Sequence, residues 1–313
     1  MEKKKLIILT GPTAVGKTSL SIRLAKAVNG AVISADSMQV YEYMDIGSAK
    51  IMPEEMDGVD HYLVSCLKPW EPFNVVIFQK MARQAMEKIY GSGKIPILAG
   101  GTGFYIQAVL YDIDFTENDG DDTYRKKLET IAHTENGAKT LHEMLRDIDP
   151  KAAEEIHPNN TKRVIRALEF HAQTNRPISE HNMEQRAKES PYDFRYFVLT
   201  DDREELYKRI DSRVDRMMSD GLVEEVRHLM DMGCDRTMTS MQGLGYKEII
   251  DHLTGETSLE EAVYRIKRDT RHFAKRQITW FKRERNVIWL DKREYEDEEQ
   301  ILNTVLKALY QAK

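Results

Sequence analysis

The stretch from Leu6 to Thr18, LIILTGPTAVGKT, narrows the possible folds more than any other part of this sequence. Leu6, Ile7, Ile8 and Leu9 form a short apolar run, the pattern of a strand covered on both faces. The run ends at Gly11 and is followed by SLSIRLAKAV, where Leu20, Leu24 and Ala27 recur at helical spacing. Gly11 to Thr18 fits G-x-x-x-x-G-K-[ST], the phosphate-binding loop, in the strand-to-helix setting that the motif requires. Glycines let successive backbone N–H groups turn inward, and the helix N-terminus adds positive potential. A di- or triphosphate is the expected ligand, with Lys17 bridging its oxygens and the Thr18 hydroxyl helping to hold Mg²⁺.

At 313 residues the chain is long enough for one large or two modest domains. Its 41% hydrophobic and 31% charged content are those of an ordinary globular protein. No apolar run approaches the roughly 20 residues that span a bilayer, and the run after the basic start is too short for a signal peptide. A cytoplasmic protein with no membrane partner is the expectation. Cys66 and Cys234 lie far apart with no C-x-x-C, so neither structural zinc nor a disulfide framework is expected, and each cysteine reads as small and partly buried. The net charge of −6 hides a segregation: Arg265 to Arg285 holds nine lysines and arginines against Asp269 and Glu284. Such a local basic surface suits a polyanionic partner.

Along the chain, AVISAD is a second apolar strand ending at Asp36, on the functional edge of an open α/β sheet. Three roles are open for Asp36: a general base, an outer ligand of Mg²⁺, or a cap for the next turn. Lys50, in DIGSAK, reads as part of a solvated loop. His61 to Ser65 is a third candidate strand. Asn74 to Tyr90 is a helix with Val76, Ile77, Met81, Met86 and Ile89 toward the core. Ile95 to Ala99 is a fourth strand and runs into Gly100-Gly101-Thr102-Gly103, a second glycine-rich loop at the same edge.

From about Thr116 the texture becomes acidic at 117–122, then charged and helical to about Glu189, the pattern of an inserted helical domain (116–189) within a core of 1–115 and 190–313. Arg163 and Arg166 share a helix face there, and either phosphate contact or simple solvation would explain them. Strand character returns at Tyr196. Arg209, Arg213 and Arg216 cluster on the next helix, with surface pairing to Glu205 or Asp211 as the alternative to diphosphate contact. Gln242, Tyr246 and Lys247 flank a glycine-rich turn. The basic helix interleaves its cations with Phe273, Trp280 and Phe281, which suits RNA backbone contact and base stacking or, equally, packing of Trp280. Val287 to Leu290 is a last edge strand, and Ile301 to Tyr310 a closing helix.

GPTAVGKT, SADSMQVY, DIGSAK, AGGTGFY, RVIRALE, GLGYKE and AKRQITWFKR, in this order, resemble the tRNA dimethylallyltransferase (isopentenyltransferase) family from residue 6 to about 285. The chain has no Cys/His pairs for the C-terminal zinc finger of eukaryotic members, so the bacterial form is the closer likeness. The resemblance implies a P-loop NTPase-like parallel sheet flanked by helices, with a helical insertion domain that contacts tRNA. It implies transfer of a dimethylallyl group from dimethylallyl diphosphate to N6 of the adenosine 3′ of the anticodon, by a monomer using Mg²⁺ at Thr18. The loop residues Gly11, Pro12, Thr13, Ala14, Val15, Gly16, Lys17 and Thr18 would then hold the leaving diphosphate. Asp36 would be the base, Thr13 would bond the bridging oxygen, and Lys17 and Arg213 would stabilise the diphosphate. Contacts to the tRNA anticodon stem-loop map onto Asp36, Ser37, Met38, Gln39, Thr102, Asn160, Thr161, Lys162, Arg163, Val164, Gln242, Gly245, Tyr246, Lys247, Arg276, Trp280 and Arg283. A free-nucleotide isopentenyltransferase, a small-molecule kinase and a non-catalytic RNA-binding module are the alternatives.

Overall fold

A computed structural model of the chain describes residues 3–115 and 123–310. It divides into two compact units, Met1–Leu110 with Pro191–Lys313, and Tyr111–Ser190. In the first unit, β1 (Lys5–Thr10), α1 (Lys17–Val28), β2 (Gly30–Ala35), β3 (His61–Tyr62), α2 (Val75–Gly91), β4 (Ile95–Gly100) and α3 (Gly103–Leu110) come first. The second unit holds α4 (Thr123–Ala132), α5 (Gly137–Ile148), α6 (Pro150–Glu155), α7 (Thr161–Thr174) and α8 (Ile178–Ala187). The first unit resumes with β5 (Asp193–Thr200), α9 (Arg203–Ser219), α10 (Leu222–Asp231), α11 (Tyr246–Leu253), α12 (Leu259–Phe281), β6 (Val287–Asp291) and α13 (Glu298–Tyr310).

The six strands form one sheet in the order β3-β2-β4-β1-β5-β6, and every pairing is parallel. Leu6 to Leu9 are buried, as a strand covered by helices on both faces must be. Leu20 and Leu24 of α1 and Ile301 and Val305 of α13 join Leu9, Phe197 and Leu290 in one apolar cluster. Because β4 lies between β1 and β2, the three strands end side by side: Thr10 and Ala35 each align with Gly100. The Thr10 hydroxyl donates to the Gly100 carbonyl at 2.6 Å. Gly100 is obligatory there, since a Cβ would lie 2.3 Å from the Ala35 carbonyl oxygen.

Several expectations need correction. The third strand covers only His61–Tyr62, because Leu63 and Ser65 take left-handed backbone angles (φ 61° and 46°) that break the pleat. In α2 the buried stripe is Phe78, Ala82, Ala85, Met86 and Ile89, capped by Asn74, whose side chain accepts from the Val76 and Ile77 amides. Val76 lies off that stripe and is exposed. Cys66 is exposed and Cys234 buried, so the two cysteines do not share one environment.

The second unit has its own core: Leu128, Leu141, Leu145, Val164, Ile165 and Leu168 interlock α4, α5 and α7. Buried Asp149 caps α6 through the Ala152 amide and accepts from both the amide and the hydroxyl of Ser179, at 2.9 and 2.6 Å. The acidic stretch 117–122 lies outside the described residues. Leu145→Ala should lower the protection of α5 and α7 amides by about 2–5 kcal/mol. Hydrogen exchange measures this, and β1 and β4 amides should keep wild-type protection.

Candidate active site

Three segments meet at the C-terminal edge of β2, β4 and β1, which is where open α/β sheets bind ligands. The loop after β1 turns back through Gly11 (φ 151°), Ala14 (φ 62°) and Gly16 (φ 101°). Gly11 cannot carry a side chain, because a Cβ would lie 2.3 Å from the Leu199 carbonyl oxygen. Gly16 begins α1 and no side chain caps that end through a hydrogen bond. The Lys17 ammonium donates to the Gly11 and Pro12 carbonyls at 3.0 and 2.7 Å.

Arg213, from α9, points its guanidinium at the Thr13 hydroxyl, 3.5 Å away. Burial first, and Arg213 second, pull the Lys17 ammonium down to about 7, against the opposing pull of Asp36. The Arg213 guanidinium is likewise lowered by burial and by Arg216, and favoured by Asp36. One Asp36 oxygen accepts from the Met38 amide at 2.8 Å, and also, at 3.4 Å, from the Gln39 amide, so the carboxylate caps its own turn. The site is therefore a cation pair with one carboxylate, a charge pattern that favours a polyanion.

The loop after β4 closes the site from between. The Thr102 amide donates to the Ala35 carbonyl at 3.1 Å, immediately before Asp36. Gln277, buried on α12, accepts from the Thr13 amide at 2.9 Å and donates to the Gly101 carbonyl at 3.0 Å. Gln277 stands in AKRQITWFKR and is not among the site residues expected from the sequence. Its readable signal is a polar residue on the stripe Ala274, Gln277, Phe281 (i, i+3, i+7), all three buried.

Around this centre the expected contacts separate. Ser37, Met38, Gln39 and Thr102 are half-buried. The Gln39 amide is engaged internally, with the Ser34 hydroxyl and the Ala49 carbonyl. Arg276 on α12 and Arg283 just beyond its end are exposed and, with His272, Lys275, Thr279 and Trp280, line a cavity of about 400 Å³. Trp280 packs its indole over Gly103, where a Cβ would be 2.2 Å from the ring, and edge-on to Phe104. Gln242 is exposed and bonds the Arg236 carbonyl, while Lys247 is half-exposed beside Glu248. In the second unit, Lys162 and Arg163 are exposed at the start of α7, Thr161 is half-buried, and the Asn160 side chain accepts from the Arg163 amide.

Some expectations are overturned. Tyr246 is fully buried, and its hydroxyl donates to Glu225 at 2.8 Å. Glu225 also collects the Asp45, Ile46 and Gly47 amides at 2.8, 2.7 and 3.0 Å, so both side chains hold the 45–47 loop from beneath. Gly245 is buried too, with its amide on Glu248. Val164 is in the core of the second unit, so its side chain is not offered to RNA. Lys50 is a buried cation paired with Asp45 and the Tyr41 carbonyl rather than part of a solvated loop. Glu205 and Asp211 pair with Lys208 and Arg271, while Arg209 pairs with Asp201.

The parallel sheet and its first loop place the chain in the P-loop-like α/β class. The family model described as IPP transferase matches residues 39–284, and one described as isopentenyl transferase matches 4–66. A tRNA dimethylallyltransferase of Lachnoclostridium phytofermentans is 64% identical over 97% of both chains, and one of Acetivibrio thermocellus is 50% identical over 96% of both. A crystal structure of tRNA isopentenylpyrophosphate transferase from Staphylococcus epidermidis superposes with a TM-score of 0.72 at 43% identity, covering 98% of this chain and 99% of that one. A eukaryotic dimethylallyltransferase acting on tRNA superposes at 0.82, with 30% identity over 99% of this chain and 81% of its own. The chain belongs to the tRNA dimethylallyltransferase family.

Tyr246→Phe should cost about 1.5–3 kcal/mol in a urea titration, the value of a hydrogen bond to a carboxylate, and leave tRNA affinity unchanged. Diphosphate binding should restore the Lys17 proton. Calorimetry of pyrophosphate binding at pH 8.5 in buffers of different ionisation enthalpy should detect uptake of close to one proton, with affinity falling as pH rises above about 7.

Proposed function

We propose that this chain, acting as a monomer in the cytoplasm, transfers a dimethylallyl group from dimethylallyl diphosphate to N6 of the adenosine 3′ of the anticodon in tRNA. The observation that carries the reading is the half-buried cation pair of Lys17, at the start of α1, and Arg213, from α9, at the first loop, with Asp36 opposite. The strands that carry the loop and Asp36 flank β4, so they are two strand spacings apart, about 9–10 Å. That gap suits a diphosphate on one side and a nucleophile on the other, with an allylic carbon between.

In the transfer, the allylic C–O bond breaks and its electron pair leaves with the diphosphate. The new negative charge falls where Lys17, Arg213 and the N–H groups starting α1 already wait, so their stabilisation is greatest in the transition state. The N6 lone pair is delocalised into the ring, which makes a base at the sheet edge necessary as the N6–carbon bond forms. Asp36 takes the N6 proton, its free oxygen available because the other caps the turn. The base must leave its stack to reach this edge.

Mg²⁺ fits the donors present. Thr18 is exposed at the start of α1, and no cluster of three or more His, Cys, Asp or Glu side chains suited to a metal exists among the described residues. Thr18, diphosphate oxygens and water would hold the ion, in keeping with its preference for phosphate and water ligands, and it would neutralise leaving-group charge. Arg276 and Arg283, with Lys162 and Arg163 of the second unit, supply exposed cations for tRNA phosphates.

The test is incubation with dimethylallyl diphosphate, Mg²⁺ and unmodified tRNA, followed by mass analysis of the digested nucleosides. One dimethylallyl group on the adenosine 3′ of the anticodon is expected; transfer to AMP alone would move the substrate to the free nucleotide. Asp36→Asn keeps the turn and should lower turnover about 10²–10⁴-fold, with tRNA affinity unchanged.

A further inference from the structure

We infer that Gln277 is a positioning residue for the transfer, linking the basic helix to the diphosphate loop. The inference rests on the reading that the loop after β1 holds the diphosphate. The Gln277 carboxamide uses both of its ends: its oxygen takes the Thr13 amide and its nitrogen gives to the Gly101 carbonyl. Its side chain is buried, so neither bond is shared with bulk water. The approach is close enough that a Cβ on Gly101 would lie 2.1 Å from the Gln277 nitrogen. Gly101 therefore has no room for a side chain while Gln277 stands where it does.

The two bonds reach both halves of the site. Thr13 presents its hydroxyl to Arg213, so the direction of its amide sets that contact. Gly101 precedes Thr102, whose amide holds the end of β2 just before Asp36. One side chain thus fixes the separation of the diphosphate loop and the glycine loop that braces Asp36. Gln277 is carried by α12, whose exposed side bears Lys275 and Arg276, with Arg283 just past its end, around the 400 Å³ cavity. RNA phosphates seated on that side pull on the same rigid helix that holds the Thr13 amide from the other. Misplacing reacting groups by an ångström costs about 10²-fold in rate, so this bridge is expected to set turnover rather than RNA affinity.

Gln277→Met keeps the length and removes both hydrogen bonds. It should lower kcat about 10- to 100-fold and weaken Mg²⁺-pyrophosphate binding, while the affinity of the folded variant for an anticodon stem-loop RNA stays at the wild-type value. Gln277→Glu keeps the acceptor toward Thr13 and loses the donor to Gly101, and should show the same split between turnover and RNA affinity. Wild-type kcat and pyrophosphate affinity in either folded variant would overturn the inference. So would an equal loss of RNA affinity and turnover, the signature of a purely structural role. Pyrophosphate binding to the wild type, and its loss in Lys17→Met, tests the loop assignment separately; if the wild type binds none, that assignment fails and not the bridge alone.

Discussion

Two cations brought together at one small loop, Lys17 from the start of α1 and Arg213 from α9, impose the condition that the rest of the site answers. Burial and mutual repulsion make it costly to keep both Lys17 and Arg213 charged, and Asp36 only partly offsets that cost. Lys17 donates to the Gly11 and Pro12 carbonyls. An excess of positive charge where solvent is scarce is the environment that the proposed leaving-group role requires.

Keeping such a loop in shape requires support from distant parts of the chain. Glu225 gathers three successive amides of the 45–47 loop and the Tyr246 hydroxyl, so a carboxylate from α10 organises backbone that follows β2. Buried Lys50 pairs with the partly exposed Asp45 of the same loop. Gln277 does the equivalent between the loops after β1 and β4. Each support is a polar side chain whose hydrogen bonds are made inside the protein, and removing one partner would strand the other.

Residues that are open to a partner and residues that only hold the frame separate along the same line. Exposed Arg276 and Arg283 face a cavity, whereas Tyr246 and Val164, in segments of similar local character, turn inward. A tyrosine after a glycine turn suits stacking as well as packing, and only its neighbours decide. Gly47 leaves room for the Tyr246 ring, which a Cβ there would approach to 2.6 Å.

The sequence by itself determined the strand–loop–helix start, the parallel α/β class, the edge position of Asp36, the glycine loop after β4 and the basic helix. These depend on local periodicity, on glycines demanded by tight backbone and on charge density, all of which are written within a few residues of one another. The tertiary structure alone decided that β4 inserts between β1 and β2, so that segments distant in the chain converge. It alone set the pairing of Gln277 with Thr13 and Gly101, the burial of Tyr246 and Lys50, and the split of the arginines of α9 between the site and ion pairs. The physical reason is that a hydrogen bond or a buried charge depends on what lies opposite, and those partners stand as many as 264 positions away.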